Sequence, residues 1–289
     1  MTALLAGLAR RALMPVGLGL AALAVVLPGR TGVAPATVLG IGSLLALVAL
    51  TGLELAVGRW RPQLRHLPRD TSMFALGIGL DGLAKVAVAA VALWVRGDAP
   101  GPLSGLPWWL GVPLGLVVAD GVAWTVHWAF HAHPLLWRLH ALHHLPDALY
   151  TLMSTVNAPL MVLVVRALPL ATLTVAGFHP TVLFAYAALD AWTGLASHTG
   201  VDTHNPWLSS VWVTPEVHRL HHRATAQAVN HALLLTVWDR VFGTYEAPTS
   251  EVPRVGLPDS APGPRTWLGA LFLRSTAAEA GDRELSGRR

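Results

Sequence analysis

A chain of 289 residues that is 53% hydrophobic and 12% charged, with a mean hydropathy of +0.51, departs from soluble domains, in which about a quarter of the residues carry charge. It reads as a membrane protein. The absence of cysteine excludes disulfides, thiolate metal sites, iron–sulfur clusters and a cysteine nucleophile. The net charge of +4 rests on arginines scattered between apolar runs, with Lys85 the one lysine and no basic patch interleaved with aromatics, so no nucleic-acid partner is expected.

A bilayer core of about 30 Å takes about 20 helical residues. The first run of that kind is Ala12 to Leu27, and the second, Ala36 to Val57, is interrupted only by Glu54. The third, Thr71 to Val95, carries Asp81 and Lys85 at i and i+4, a spacing that predicts an ion pair on one helix face. The fourth starts near Pro107, passes Trp108 and Trp109 as an interfacial belt, and continues through Asp120 to His127. Ala158 to Val175 and Pro180 to Leu195 form a hairpin around the breaker at Gly177 to Pro180, with Arg166 and Asp190 inside it.

Arginines alternate between the loops. Arg10 and Arg11 precede the first run, Arg30 follows it, Arg59, Arg61, Arg65 and Arg69 lie between the second and third, and Arg96 follows the third. The positive-inside rule then puts both termini and the segment after the fourth run in the cytoplasm. A second reading of the start is a signal peptide, with Leu13 to Leu27 as its apolar region and Ala34-Pro35-Ala36 as its cleavage site. Three parts are expected: N-terminal membrane helices over 1–105, a catalytic unit over 106–246 and a Pro/Gly-rich tail over 247–289. In the tail, Trp267 to Leu273 is expected to lie on the membrane surface and the residues beyond Ser275 to be disordered.

Fourteen histidines are too many for so apolar a chain unless they work together. One stretch holds His127 and His131, then His140, His143 and His144. The other holds His198, then His218, His221 and His222, repeating the H-x-x-H-H spacing 78 residues later. Spacings of three and four share a helix face, so each box turns two or three imidazoles to one point. Neutral imidazole is a ligand for zinc, iron and copper, and one first-row ion takes about four to six ligands. More histidines than one ion can use imply two metals. Ligating histidines donate their outer N–H to a carboxylate or carbonyl, and Asp120, two turns before His127, is the first candidate for that role, with Glu216 and Asp239 after it. His66, His133 and His179 are read as ordinary histidines.

These stretches, DGVAWTVHWAFHAHPLLWRLHALHH from Asp120, SHTG from Ser197, VTPEVHRLHH from Val213 and WDRVFGTY from Trp238, resemble the fatty acid hydroxylase/sterol desaturase superfamily of integral-membrane di-iron enzymes. The resemblance implies an all-α fold: a polytopic membrane helical bundle with a cytoplasmic histidine-rich di-metal cap. It implies two Fe ions held by His127, His131, His140, His143, His144, His198, His218, His221 and His222, with O2 as co-substrate. The reaction implied is hydroxylation or desaturation of a lipid C–H bond, on a fatty acyl chain, a sterol or another isoprenoid. Electrons are expected from a separate donor of ferredoxin, cytochrome b5 or reductase type. The chain departs from the family pattern at His198-Thr-Gly and around Asn157-Ala158-Pro159. His231 follows Asn230 where members carry an aromatic or glycine, and is a further ligand or supporting residue.

Two other readings compete. One is a non-catalytic metal-binding membrane protein derived from the same family, and the other is a bis-histidine haem carrier, which needs histidine pairs on opposed helices deep in the membrane. Neither G-x-S-x-G nor H-E-x-x-H is present, so no standard hydrolase signature is met.

Overall fold

The computed structural model describes residues 2–60, 67–96, 99–225, 227–249 and 253–257. Among them the fold is all-helical. Helices α1 (Thr2–Thr31), α2 (Pro35–Val57), α3 (Leu67–Arg96), α4 (Trp108–Ala132) and α6 (Pro159–Ala176) are long and apolar enough to cross a membrane. Helix α7 (Pro180–Ser197) follows α6 after a short turn and packs on α1, α2 and α4. The short elements are α5 (Pro134–His144), a 3-10 turn (Thr151–Thr155), α8 (Pro206–Ser209), α9 (Pro215–His221) and α10 (Val237–Val241). With the C-terminal ends of α4 and α7, α5 and α9 bring the histidines together.

Proline sets where six of these helices begin. Pro35, Pro134, Pro159, Pro180, Pro206 and Pro215 each occupy the first helical position, where the missing N–H would have no partner and the fixed φ suits the helix. Helix α6 stops at Gly177, whose φ of +79° is left-handed. A Cβ there would stand 2.4 Å from Pro102, so the turn into α7 requires glycine on both counts.

The first helix is longer than the apolar run Ala12 to Leu27. It takes in Arg10 and Arg11, because a terminus at the interface lets arginine join the helix with its head group in water. Met14 is fully buried in a cluster with Leu50, Phe74, Leu195, Ala196 and Leu208, and the Arg10 carbonyl accepts the His204 N–H at 2.8 Å. A second cluster joins Ala119 of α4, Leu170 and Leu173 of α6, and Val182 and Tyr186 of α7. The outward faces carry exposed Leu20, Leu45, Val86 and Trp108, an apolar belt too extensive for a protein surrounded by water and suited to acyl chains.

Glu54, the one interruption of the second run, faces inward and is 1% exposed. Its Oε1 accepts from the Thr151 N–H at 2.7 Å, the Thr151 hydroxyl at 2.6 Å, the Gly200 N–H at 2.8 Å and the Thr199 hydroxyl at 3.1 Å. The Gly200 carbonyl accepts in turn from the N–H groups of Arg59 and Trp60. A Cβ at Gly200 would stand 2.1 Å from the Trp60 carbonyl oxygen. Gly200→Ala is therefore expected to cost about 1–3 kcal/mol through overpacking against backbone. Thermal unfolding in detergent checks this, and an unchanged midpoint would mean that the contact yields freely.

The Asp81–Lys85 pair predicted from spacing forms at 2.5 Å. Arg61, Arg65, His66, the surface stretch Trp267 to Leu273 and the tail beyond Ser275 lie outside the described residues.

Candidate metal centre

Helix α4 ends in His127 and His131, one turn apart, and reverses at His133, whose ring nitrogen accepts the Leu135 N–H at 3.3 Å as the N-cap of α5. Helix α5 then presents His140, His143 and His144 on its last turn, α7 delivers His198 as its C-cap, and α9 delivers His218, His221 and the C-cap His222. His131 is half-buried and the other eight are buried. His179 is likewise an N-cap, accepting from the Thr181 N–H, so the two histidines read as ordinary that lie among the described residues are used by backbone.

All nine converge. Ligand atoms of His127, His131, His140 and His221 lie within 4.8 Å of one another, as do those of His143, His198, His218 and His222; His144 joins His221 and His222 in a third set that links the two. The Nε2 atoms of His127 and His140 are 3.0 Å apart, those of His131 and His221 3.2 Å, those of His143 and His198 3.1 Å, and those of His198 and His218 3.0 Å.

The outer nitrogens decide what these contacts are. Nδ1 of His127 lies 2.7 Å from the His231 carbonyl oxygen, that of His143 3.2 Å from Val156, that of His198 2.8 Å from Gly194 and that of His221 2.9 Å from Val229. A carbonyl only accepts, so each Nδ1 is the protonated nitrogen and each Nε2 presents a lone pair. The lone pairs of His143 and His198 then face each other with no proton between them, an arrangement that repels unless a cation lies in the gap. Nitrogens bound at about 2.0–2.1 Å to one ion at ordinary coordination angles are about 3 Å apart, as these are. Each of the converging histidine sets could therefore hold a metal ion.

Electrostatics point the same way. Burial pushes His140, His143, His144, His218, His221 and His222 well below the usual histidine range, and His198 to about 4. The rings are neutral and ready to ligate at neutral pH.

The carboxylates expected to support the ligands do other work. Asp120 does not meet His127; two turns of helix put the two residues about 10 Å apart along the axis, and its oxygens accept the N–H groups of Leu234 and Leu235, each at 2.9 Å. Glu216 accepts from Thr203, Asn205 and Ser209 and so pins the 203–209 segment rather than a box histidine. Asp239 accepts from Trp124 Nε1, from the N–H groups of His231 and Ala232 and from the Thr244 hydroxyl. That fixes the loop whose His231 carbonyl orients His127, so Asp239 reaches the site through backbone. The His231 ring is buried beside His131, at 5.2 Å between centroids, and stands outside the converging sets. The main-chain carbonyls left no mark in the sequence, since any residue supplies one.

Beneath the histidines lies a cavity of about 440 Å³, reached by His127, His140, His143, His198 and His218. Leu39, Leu44 and Leu47 of α2, Phe74 and Ile78 of α3, and Met161, Val162 and Val165 of α6 form its apolar walls. Its size is that of a small-molecule site, and its walls suit hydrocarbon.

Residues 112–244 match the family model for fatty acid hydroxylase. An ornithine lipid hydroxylase from Rhizobium tropici is 33% identical over 47% of this chain and 42% of its own length. A fatty acid hydroxylase from Lecanicillium sp is 29% identical over 62% of this chain and 54% of its own, and the human alkylglycerol monooxygenase is 27% identical over 52% and 34%. The chain thus spans about half or less of the length of these curated relatives. No solved structure matches it.

Proposed function

We propose, because residues 112–244 match the fatty acid hydroxylase family model, that the chain is a membrane-bound, di-iron, O2-dependent oxidoreductase that hydroxylates or desaturates a lipid C–H bond. The observation that carries this reading is the opposition of imidazole lone pairs directly over an apolar cavity. Two irons on His127, His131, His140, His143, His144, His198, His218, His221 and His222 would supply the O2-activating, C–H-oxidising chemistry that side-chain acids and bases lack.

The chain's own residues do the rest. The leucines of α2 and the apolar side chains of α3 and α6 hold an acyl, sterol or isoprenoid chain by burial of apolar surface. The carbonyls of His231, Val156, Gly194 and Val229 hold one proton on each outer nitrogen and fix ring orientation. Met161, with Sδ 3.0 Å from His140 Nδ1, closes the apolar wall against the ligand ring and keeps water from it. Arginine placement supports a cytoplasmic histidine end and cytoplasmic termini, where a separate electron donor of ferredoxin, cytochrome b5 or reductase type would dock.

Elemental analysis of detergent-purified protein from iron-sufficient cells tests the reading. About two irons per chain are expected, lost together in a variant lacking His221 and His222, the two residues that link the sets. A metal-free protein would end the oxygenase reading. Two irons with no oxidation of any lipid extract would leave the non-catalytic alternative.

A further inference from the structure

Four charged side chains that the apolar sequence should not tolerate meet at one place. Lys85 donates to Asp81 at 2.5 Å, Arg166 Nε lies 3.8 Å from the other Asp81 oxygen, and Arg166 also pairs with Asp190. Three helices contribute, α3, α6 and α7, and each charge sits well inside an apolar helix, where an ionised group is expensive even when paired. Purely apolar packing would hold the same helices at less cost. All four line the cavity beneath the histidines, and their side chains keep 13% to 32% exposure.

We infer that this ion network is the polar subsite of the substrate cavity. It receives an uncharged hydrogen-bond acceptor of the lipid, an ester or amide carbonyl or a hydroxyl, and so sets which carbon lies under the histidines. The inference rests on the lipid-oxidation reading for its substrate and deepens it.

Charge balance selects the class. Two cations and two anions sum to zero, so a carboxylate or phosphate would leave an unbalanced charge in the membrane interior, whereas a neutral acceptor leaves the balance intact. The ammonium of Lys85 has three N–H groups, and Asp81 takes one of them; the others are available to an acceptor in the cavity. Arg166, by contrast, is held between two carboxylates.

Distance then gives a ruler. Arg166 is five residues beyond Met161, which touches His140, and Asp190 is eight residues before His198. At 1.5 Å per residue these offsets are about 7.5 and 12 Å along the helix axes, so the network to which Lys85 belongs stands roughly six to ten chain bonds from the histidines.

The test measures binding, which needs no turnover. Tryptophan quenching in the purified, metal-loaded protein would be titrated with methyl 9,10-dibromostearate, with 9,10-dibromo-octadecane, which lacks the acceptor, and with 9,10-dibromostearic acid at neutral pH. The ester is expected to bind about 10-fold tighter than the alkane. Lys85→Met should remove that preference without changing the alkane, and Lys85→Arg should retain most of it. The double variant Asp81→Asn with Lys85→Met removes one charge of each sign, leaves Arg166 with Asp190, and should behave as Lys85→Met; its metal content reports whether it folds. An ester preference surviving in the folded double variant, or no preference in the parent protein, would overturn the subsite, and tighter binding of the acid would overturn its neutral class. Failure of the oxidation reading would appear separately, as intact ester preference in a protein that oxidises no lipid.

Discussion

Alanine in place of His143 or of His198 is expected to empty one metal position and leave the other filled. The two residues belong to the set completed by His218 and His222, and neither belongs to the set of His127, His131, His140 and His221. Loss of one nitrogen from a group of four leaves three, and the facing lone pair, 3.1 Å away, loses its counterpart across the ion. Iron should fall from about two to about one per chain, with lipid oxidation abolished and membrane insertion unchanged, since the spanning helices bury none of these rings in lipid. His131→Ala should give the complementary result through the other set. Elemental analysis beside product assays checks both, and full metal with full activity in either variant would contradict the ligand assignment.

Glu54→Ala is expected to be strongly destabilising, and Glu54→Gln nearly harmless. The alanine variant strips acceptors from the buried N–H groups of Thr151 and Gly200 and from two hydroxyls. Leaving buried donors unpaired costs about 1–3 kcal/mol each, a large part of a net stability of about 5–15 kcal/mol. All four bonds go to the same oxygen, Oε1, so the single carbonyl oxygen of glutamine can take its place. Because Gly200 is two residues from His198, the alanine variant should also lose iron from the set containing His198 first. Thermal unfolding and iron content of the two variants decide the matter; equal loss in both would show that the charge, rather than the acceptor, is what the fold uses.

The histidine boxes were legible because helical spacing is a local property: three and four residues apart means one face, whatever surrounds the helix. For the same reason Asp81 and Lys85 could be paired from sequence. The partners of Arg166 and Glu54 could not, because Asp190 is 24 residues from Arg166, and Thr151 and Gly200 are 97 and 146 residues from Glu54. Tertiary packing alone brings them together. Asp120 shows a local rule applied too far: a shared face does not mean contact when two turns intervene, and its carboxylate found two main-chain donors across the fold instead. Of the two arms of the hairpin, α6 is long and apolar enough to cross a membrane, whereas α7 has its faces taken up by α1, α2 and α4.

The outer nitrogens of four box histidines are all held by main-chain oxygens, at His231, Val156, Gly194 and Val229. Side-chain identity at those positions is therefore irrelevant to the contact; even at Gly194 a methyl group would meet nothing nearer than 3.7 Å. Loop length is another matter, because one residue added or removed between Val156 and α6, or between α9 and Val229, would carry a different carbonyl, or none, to the ring. Apolar substitutions that keep the local packing should accordingly be tolerated at Val156 and Val229 while the lengths of the segments that carry them stay fixed.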